Sequence, residues 1–421
     1  MVAFPESLRS LRQRNYRLFC SGQLISLIGT WMQMVALSWL VYRLTGRAAM
    51  LGLMSFCNLI PVFVLAPVGG LVADRVPSRR LLLTTQTVAM GLALILALLT
   101  LTHQVRIWHL FLSALLLGTT NAFDNPARLV FVARVVPRPD LMNAVALNSS
   151  LVTGARVAGP ALAGVLVAAI GEGWCFFLNA VSYLAVIAGL LAMTFPPREP
   201  EPAKTQSHAG RLLEGFAMVR RTVPIRSLLL LLGAVSLLGS PHSVLMPIFA
   251  GQVFHGSSRT LGLLMGTSGA GALAGALTLA SRPDFNGLGR WIAAASMGFG
   301  AALIGFACSR SLWLSLPLML VAGYCFMVGL AATNTMIQMM VPDAFRGRVM
   351  SIYSMMFLGM APVGGLLGGL VANRLGAPAT VALGGAGCLV CGCAFTLHYR
   401  DWREGARALL GRAGEAAGGF R

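Results

Sequence analysis

Charge is what this chain has least of. Asp, Glu, Lys and Arg make up 11% of its 421 residues, where soluble globular chains carry roughly 25%. At 57% hydrophobic residues and a mean hydropathy of +0.76, the chain would expose too much apolar surface in water. The solvent for most of it is therefore expected to be a lipid bilayer. Acids are the scarcer sign, thirteen against 32 Lys and Arg, for a net charge of +19. That excess would suit nucleic acid only on the basic face of a folded soluble domain. No polar stretch is long enough to form one, so no nucleic-acid partner is expected. The phosphate-cradling pattern Gly-x-x-x-x-Gly-Lys is also missing, so neither ATP-driven pumping by this chain nor an ATPase subunit is indicated. Without His-Glu-x-x-His, a Gly-x-Ser-x-Gly context or paired intramembrane acids, no enzymatic activity is expected. The eight cysteines lie in apolar runs, and "CLVCGC" (388–393) has no His or acid beside it. No metal and no cofactor are expected there. The basic, polar start "MVAFPESLRSLRQRNYR" precedes an apolar run too long for a signal peptide's core, so no cleavable signal is expected.

Long apolar runs are what is abundant. Twelve reach the roughly 20 residues that a helical crossing needs: 17–42, 48–73, 81–102, 107–125, 141–170, 174–195, 227–250, 260–280, 288–308, 312–340, 347–373 and 378–398. None alternates with period 2, so they read as helices rather than barrel strands. Placing the N-terminus in the cytoplasm puts 25 of the 32 Lys and Arg in cytoplasmic segments and six outside, with Arg156 left inside a span. Cytoplasmic loops should carry such an excess, so both termini are expected to be cytoplasmic, in a multi-pass protein of the cell (inner or cytoplasmic) membrane.

The expected organisation is an N-terminal six-helix bundle over residues 1–195, a cytoplasmic linker over 196–226, a C-terminal six-helix bundle over 227–398 and a basic cytoplasmic tail over 399–421. The linker opens with the solvated stretch "PPREPEPAK". It continues as "GRLLEGFAMVRR", whose Leu212, Leu213, Phe216 and Val219 share one helical face, as in a helix lying on a membrane surface. Setting 136–171 against 341–376 without gaps pairs Val136-Pro137 with Val341-Pro342. It also pairs Gly154, Gly159, Gly164 and Gly171 with Gly359, Gly364, Gly369 and Gly376. These matches argue for duplication. Two parallel six-helix repeats mark a transporter architecture with its substrate site between the halves.

The turn between the second and third spans reads "GGLVADRVPSRR" (69–80). It resembles the signature of the major facilitator superfamily, Gly-x-Leu-Ala-Asp-Arg-x-Gly-Arg-Arg, at Gly70, Ala73, Asp74 and Arg75. It departs at Val72 and Pro77, and its basic pair, Arg79 and Arg80, falls one place late. The resemblance implies an all-α membrane fold of twelve transmembrane helices in two pseudo-symmetric six-helix bundles. It further implies that Asp74 closes the cytoplasmic side against the start of the eleventh span, Arg346-Gly347-Arg348. The other reading makes these charges topology anchors. "GARVAGPALAG" (154–164) resembles the Gly-Pro motif of exporters in the superfamily, with Gly154, Gly159, Pro160 and Gly164 in place. Gly262, Gly266, Gly271 and Gly275 answer it on the eighth span, and Gly359 and Gly364 on the eleventh. Glycines of this kind let helices approach closely, and ordinary packing would use them too. "NYRLFCSGQLISLIGTWMQ" (15–33), "NPARLVFVARVVP" (125–137), "NAVALNSS" (143–150) and "FFLNAVSYLAVI" (176–187) resemble the branch holding macrolide and enterobactin-type exporters. That resemblance implies export of an amphipathic small molecule by alternating access.

Polar residues at helical spacing mark the expected pathway: Gln23, Ser26, Thr30 and Gln33 on the first span, Ser236, Ser240 and His242 on the seventh, and Asn334 and Gln338 on the tenth. Such residues should face the bundle interior or water rather than lipid. They serve either substrate or interhelical hydrogen bonds. Arg156, mid-span, should be paired or wet, which leaves an anionic substrate group or a structural partner. Asp124 is the acid furthest inside a span. Either it exchanges protons as the coupling residue of an antiporter, or Asp124-Asn125-Pro126 caps a helical extension. His242 stands next in line for the proton. The partners expected are thus a small-molecule substrate, protons and the lipid bilayer. The alternatives are an importer or uniporter of a small metabolite with the same fold, and a non-transporting membrane sensor. A sensor would be expected to carry a soluble output domain, for which the tail is too short.

Overall fold

The computed structural model describes residues 6–194, 208–282 and 287–418, and among these the backbone is helical with no strand. After a 3₁₀ turn come α1 (Arg14–Thr45), α2 (Ala48–Arg75), α3 (Ser78–Leu101), α4 (Ile107–Val135), α5 (Leu141–Ile170) and α6 (Glu172–Ala192). The short α7 (His208–Arg221) precedes α8 (Val223–Gly239) and α9 (Pro241–Ile248), the latter ending in a π-turn. Then follow α10 (Ser258–Ala280), α11 (Leu288–Cys308), α12 (Leu312–Met340), and α13 (Asp343–Ser354) joined through a π-turn to α14 (Met360–Leu375). The last two are α15 (Ala377–Leu397) and α16 (Tyr399–Gly418).

Eleven of these segments are long and apolar enough to cross a membrane, counting Val223–Val253 and Phe345–Leu375 as one each. The twelfth crossing is α4. Its 29 residues suffice in length, but Asn121, Asp124, Asn125 and Arg128 make its second half polar. The linker segment 196–207 expected to be solvated lies outside the described residues. Its continuation is helical as α7, with Val219 buried and Phe216 exposed.

Two expectations are corrected on α4. The helix does not stop near residue 125 but runs to Val135, with Pro126 inside it. Asp124 therefore caps nothing, and Arg128 belongs to the helix rather than to a cytoplasmic loop. Arg156 is thus not the one cation inside a span. The helix survives Pro126 because a proline removes one N–H, the one that would reach the Ala122 carbonyl. Gly69 of α2 packs against that same carbonyl, close enough that a side chain at Gly69 would overlap it.

Two compact units divide the chain: Met1–Lys204 with Pro247–Gly266, and Thr205–Met246 with Thr267–Arg421. In the first, α1 packs against α5 and α6, α2 against α4, and α3 against α4 and α6. Its core includes Tyr16, Phe19, Leu82, Phe131 and Leu190; the buried Tyr16 hydroxyl donates to the Ala144 carbonyl at 2.7 Å. In the second, α11 packs against α12 and α15, and α8 against α14 and α15. The tail expected to be merely basic is the helix α16. It is held by Trp402, 5% exposed, whose Nε1 donates to the Pro224 carbonyl at 3.0 Å.

The aligned repeats share backbone geometry. Val136 and Val341 both leave their helices in extended conformation, each followed by a proline that starts the next element. Gly171 ends α5 at φ 87°, ψ 169°, and Gly376 ends α14 at φ 83°, ψ 157°. Only glycine adopts that region without strain.

Candidate transport site

The polar residues of the first unit form two clusters, one between α1 and α6 and one between α3 and α4. On α1, Thr30 donates to the Ser26 carbonyl at 2.9 Å and lies 3.4 Å from the Tyr183 hydroxyl of α6. Gln33 accepts from Asn179 Nδ2 at 2.6 Å, and Ser182 donates to Asn179 Oδ1 at 3.0 Å. Gln23, Ser26 and Gln33 are all buried. The polar stripe read on the first span is therefore turned toward protein. Asn179, Ser182 and Tyr183 complete it, and only their position within "FFLNAVSYLAVI" hinted at them.

Deeper polarity centres on Asp124, which is 2% exposed. Thr85 donates to its Oδ1 at 2.7 Å and Gln86 Nε2 at 2.9 Å, both from α3. Arg128, one turn along α4, pairs with Oδ2. A buried carboxylate needs such partners, because desolvation costs several kcal/mol per ion when uncompensated. Two further polar atoms of the cluster, Gln86 Oε1 and Arg128 Nε, are buried without a hydrogen-bond partner. Tyr183 of the α1–α6 cluster lies within electrostatic range of both charges. Sequence reasoning missed Arg128 by assigning it to a loop. The i, i+4 spacing to Asp124 was the available signal.

The second unit is different in kind. Ser236 donates to the Phe357 carbonyl at 2.7 Å, Ser240 to Leu237 O at 3.4 Å, and Gln338 Nε2 to Asn334 Oδ1 at 2.6 Å. His242 Nδ1 lies 2.5 Å from the Gly239 carbonyl, with the ring edge-on to Phe299 at 5.5 Å. Phe299 continues to Phe326 at 5.4 Å, and Phe326 to Phe357 at 6.2 Å. Leu231, Val235, Ile292 and Leu330 join Phe299 and Phe326 around an apolar recess.

At the turn between α2 and α3, Asp74, Arg75 and Arg80 are exposed. Arg79 instead reaches the end of α6, donating to the carbonyls of Leu190 at 2.8 Å and Leu191 at 3.1 Å. Gly70 and Gly347 face open space. Arg346 is exposed, and Arg348 pairs with Glu214 of α7 at 2.5 Å. Gly164 and Gly262 meet backbone to backbone: a Cβ on Gly164 would stand 2.9 Å from Gly262 Cα, and one on Gly262 2.7 Å from Gly164 Cα. Pro160 is buried beside them and offers its carbonyl to the same contact. Gly266 lies at ordinary van der Waals distance from Ala161, Gly154 faces open space, and Gly159 packs on Trp31. Gly364 packs on the Leu237 carbonyl, and Gly359 is buried in the π-turn between α13 and α14. Arg156 sets its guanidinium 5.6 Å from the centroid of the Trp31 ring.

This arrangement is that of a helical membrane carrier, and its relatives agree. The family model described as transmembrane secretion effector matches residues 6–408. The chain belongs to this family of major facilitator transporters. The chain is 27% identical to the staphyloferrin A transporter of Staphylococcus aureus, over 87% of this chain and 92% of the relative. It is 25% identical to the enterobactin exporter EntS of Citrobacter koseri, over 92% of each. It is 22% identical to macrolide efflux protein A of Streptococcus pyogenes, over 85% and 89%. Among solved structures, its fold matches a bacterial homologue of the iron transporter ferroportin with a TM-score of 0.72 at 16% identity, over 92% of this chain and 98% of the other. A POT family transporter complexed with 5-aminolevulinic acid scores 0.73 at 11% identity, over 93% and 97%. The protein is a multi-pass membrane transporter of small molecules.

Proposed function

We propose that this transporter exports an amphipathic small molecule, a drug-like compound or a siderophore, by alternating access coupled to proton entry at Asp124. The observation that carries this reading is a buried, ion-paired carboxylate in a membrane span, wired by hydrogen bonds to the neighbouring helix α3. Protonating Asp124 removes the charge that holds Arg128, so a proton arriving or leaving changes the contacts between α3 and α4. A carrier can use that difference to bias one conformation over another. The apolar, aromatic recess of the second unit supplies a surface for the substrate's hydrophobic part. Export is favoured over import by the likeness to an exporter of enterobactin and a macrolide efflux protein.

Both termini are read as cytoplasmic, in the cell membrane. An impermeant thiol reagent on intact cells should label Ser257→Cys, in the turn before α10, and leave Arg80→Cys unlabelled until the membrane is opened. The reverse pattern ends that orientation. Asp74 is read as the cytoplasmic latch, working against the Arg346-Gly347-Arg348 start of α13. Inside-out vesicles given an acidic lumen should accumulate a hydrophobic antibiotic or siderophore from a test panel and stop when the gradient is collapsed. Vesicles with Asp74→Asn should accumulate it more slowly at equal protein level. No gradient-dependent accumulation of any panel compound would remove the export reading, and an unchanged rate in the variant would remove the latch.

A further inference from the structure

We propose that Arg156 and Trp31 form an anion-recognition point for the transported molecule, whose polar end is therefore a carboxylate or a similar planar oxyanion. This inference rests on the transporter reading above and narrows its substrate class. It starts from the charges inside the first unit. Asp124 is neutralised by Arg128. Glu172, at the start of α6, is 3.1 Å from Arg43, and Asp140, before α5, is 3.1 Å from Arg9. Each of these acids has its cation. Arg156 has none among the described residues, and its recorded contact is the face of Trp31.

Its position excludes the usual escape. Arg156 stands near the middle of the 30-residue α5, about 22 Å from its first residue at 1.5 Å per residue. A guanidinium there cannot snorkel to either interface, and against lipid it would be strongly unfavourable. The side chain is nevertheless partly accessible, so it opens on water-filled space. Two accessible polar residues on the same face of α5, Ser149 and Thr153, lead toward it at spacings of four and three.

Trp31 is held for this task by Gly159, one turn from Arg156. A Cβ at Gly159 would stand 3.1 Å from the Ile28 carbonyl oxygen and 3.3 Å from the Met32 nitrogen, and would overlap Trp31 itself. Without that Cβ, α1 comes close enough to lay the indole beside Arg156. A guanidinium seated over a ring uses its face for the cation–π contact and keeps its in-plane N–H donors. Those donors form the fork that binds a carboxylate bidentately. An unpaired cation within a span also discriminates. It attracts an anion and repels a cationic amphipath, whereas recognising a cationic amphipath would require an unpaired acid.

The test is equilibrium binding to the full-length protein in detergent, with no gradient and no transport. The probe is 2-naphthoate, with 2-naphthamide as neutral control and 2-naphthylmethylammonium as cationic control. Wild-type protein is expected to bind naphthoate at least tenfold more tightly than either. Arg156→Gln should erase that preference, Arg156→Lys should keep part of it, and Trp31→Leu should weaken naphthoate alone. Should Arg156→Gln fail to fold, wild type and Trp31→Leu still decide. Absence of a preference in wild type, or a preference surviving in folded Arg156→Gln or unaltered in Trp31→Leu, overturns the proposal. A preserved preference in protein whose vesicles export nothing would sink the export reading and leave this one standing.

Discussion

Vesicles carrying Asp124→Asn are expected to lose gradient-driven accumulation altogether while still letting substrate equilibrate down its own gradient. The substitution keeps the shape of the side chain and leaves an oxygen to accept from Thr85 and Gln86, which now donate at 2.7 and 2.9 Å. It removes the ability to ionise. A carrier whose proton site cannot change charge cannot tie proton movement to its conformational cycle. The variant also leaves Arg128 without its counter-ion. Breaking a buried pair on one side costs about 3–5 kcal/mol, enough to reduce the folded fraction. The double variant Asp124→Asn/Arg128→Gln removes both charges and should recover much of the lost protein level without recovering uphill transport. Uphill transport at the wild-type rate in either variant would show that the proton is carried elsewhere, with His242 next to be tested.

Gly164→Val is expected to disrupt the contact between α5 and the start of α10. The new Cβ would stand 2.9 Å from Gly262 Cα and 2.9 Å from the Ser258 carbonyl oxygen. Both are backbone atoms, so the helices must separate rather than a side chain turn aside. Overpacking of this kind costs about 1–3 kcal/mol, a factor of about five to 150 in any equilibrium that includes the contact. A cysteine pair reads it directly. A Cβ at Gly266 would lie 3.6 Å from the Ala161 Cβ, within the span a disulfide bridges. In protein stripped of its eight native cysteines, Ala161→Cys/Gly266→Cys should cross-link readily. Adding Gly164→Val should cut the yield at least fivefold and slow transport with it. Equal cross-linking with and without the valine would mean that this approach carries no energy.

The chain's apolar runs alone determined that it is a twelve-helix membrane protein, because a backbone in lipid must satisfy its own hydrogen bonds and a helix of about 20 residues does so. Runs such as 141–170, 288–308 and 312–340 coincide with α5, α11 and α12 to the residue. The repeat was equally legible, since Val136-Pro137 and Val341-Pro342, and Gly171 and Gly376, record local backbone requirements that depend on nothing distant. Apolarity failed where function interrupts it. The end of α4 was drawn too early because Asp124, Asn125 and Pro126 look like a boundary when their partners are unseen. Only the tertiary structure decided that Asp124 is a buried acid, since Thr85 and Gln86 reach it from a helix about 40 positions earlier. Only it decided that Gln33 is bonded to Asn179, that Trp402 docks the tail helix on Pro224, and that Arg156 lies over Trp31. Hydropathy is a property of one segment and can be summed along it. The pairing of a charge depends on which helices stand side by side, and that is settled by the packing of whole faces.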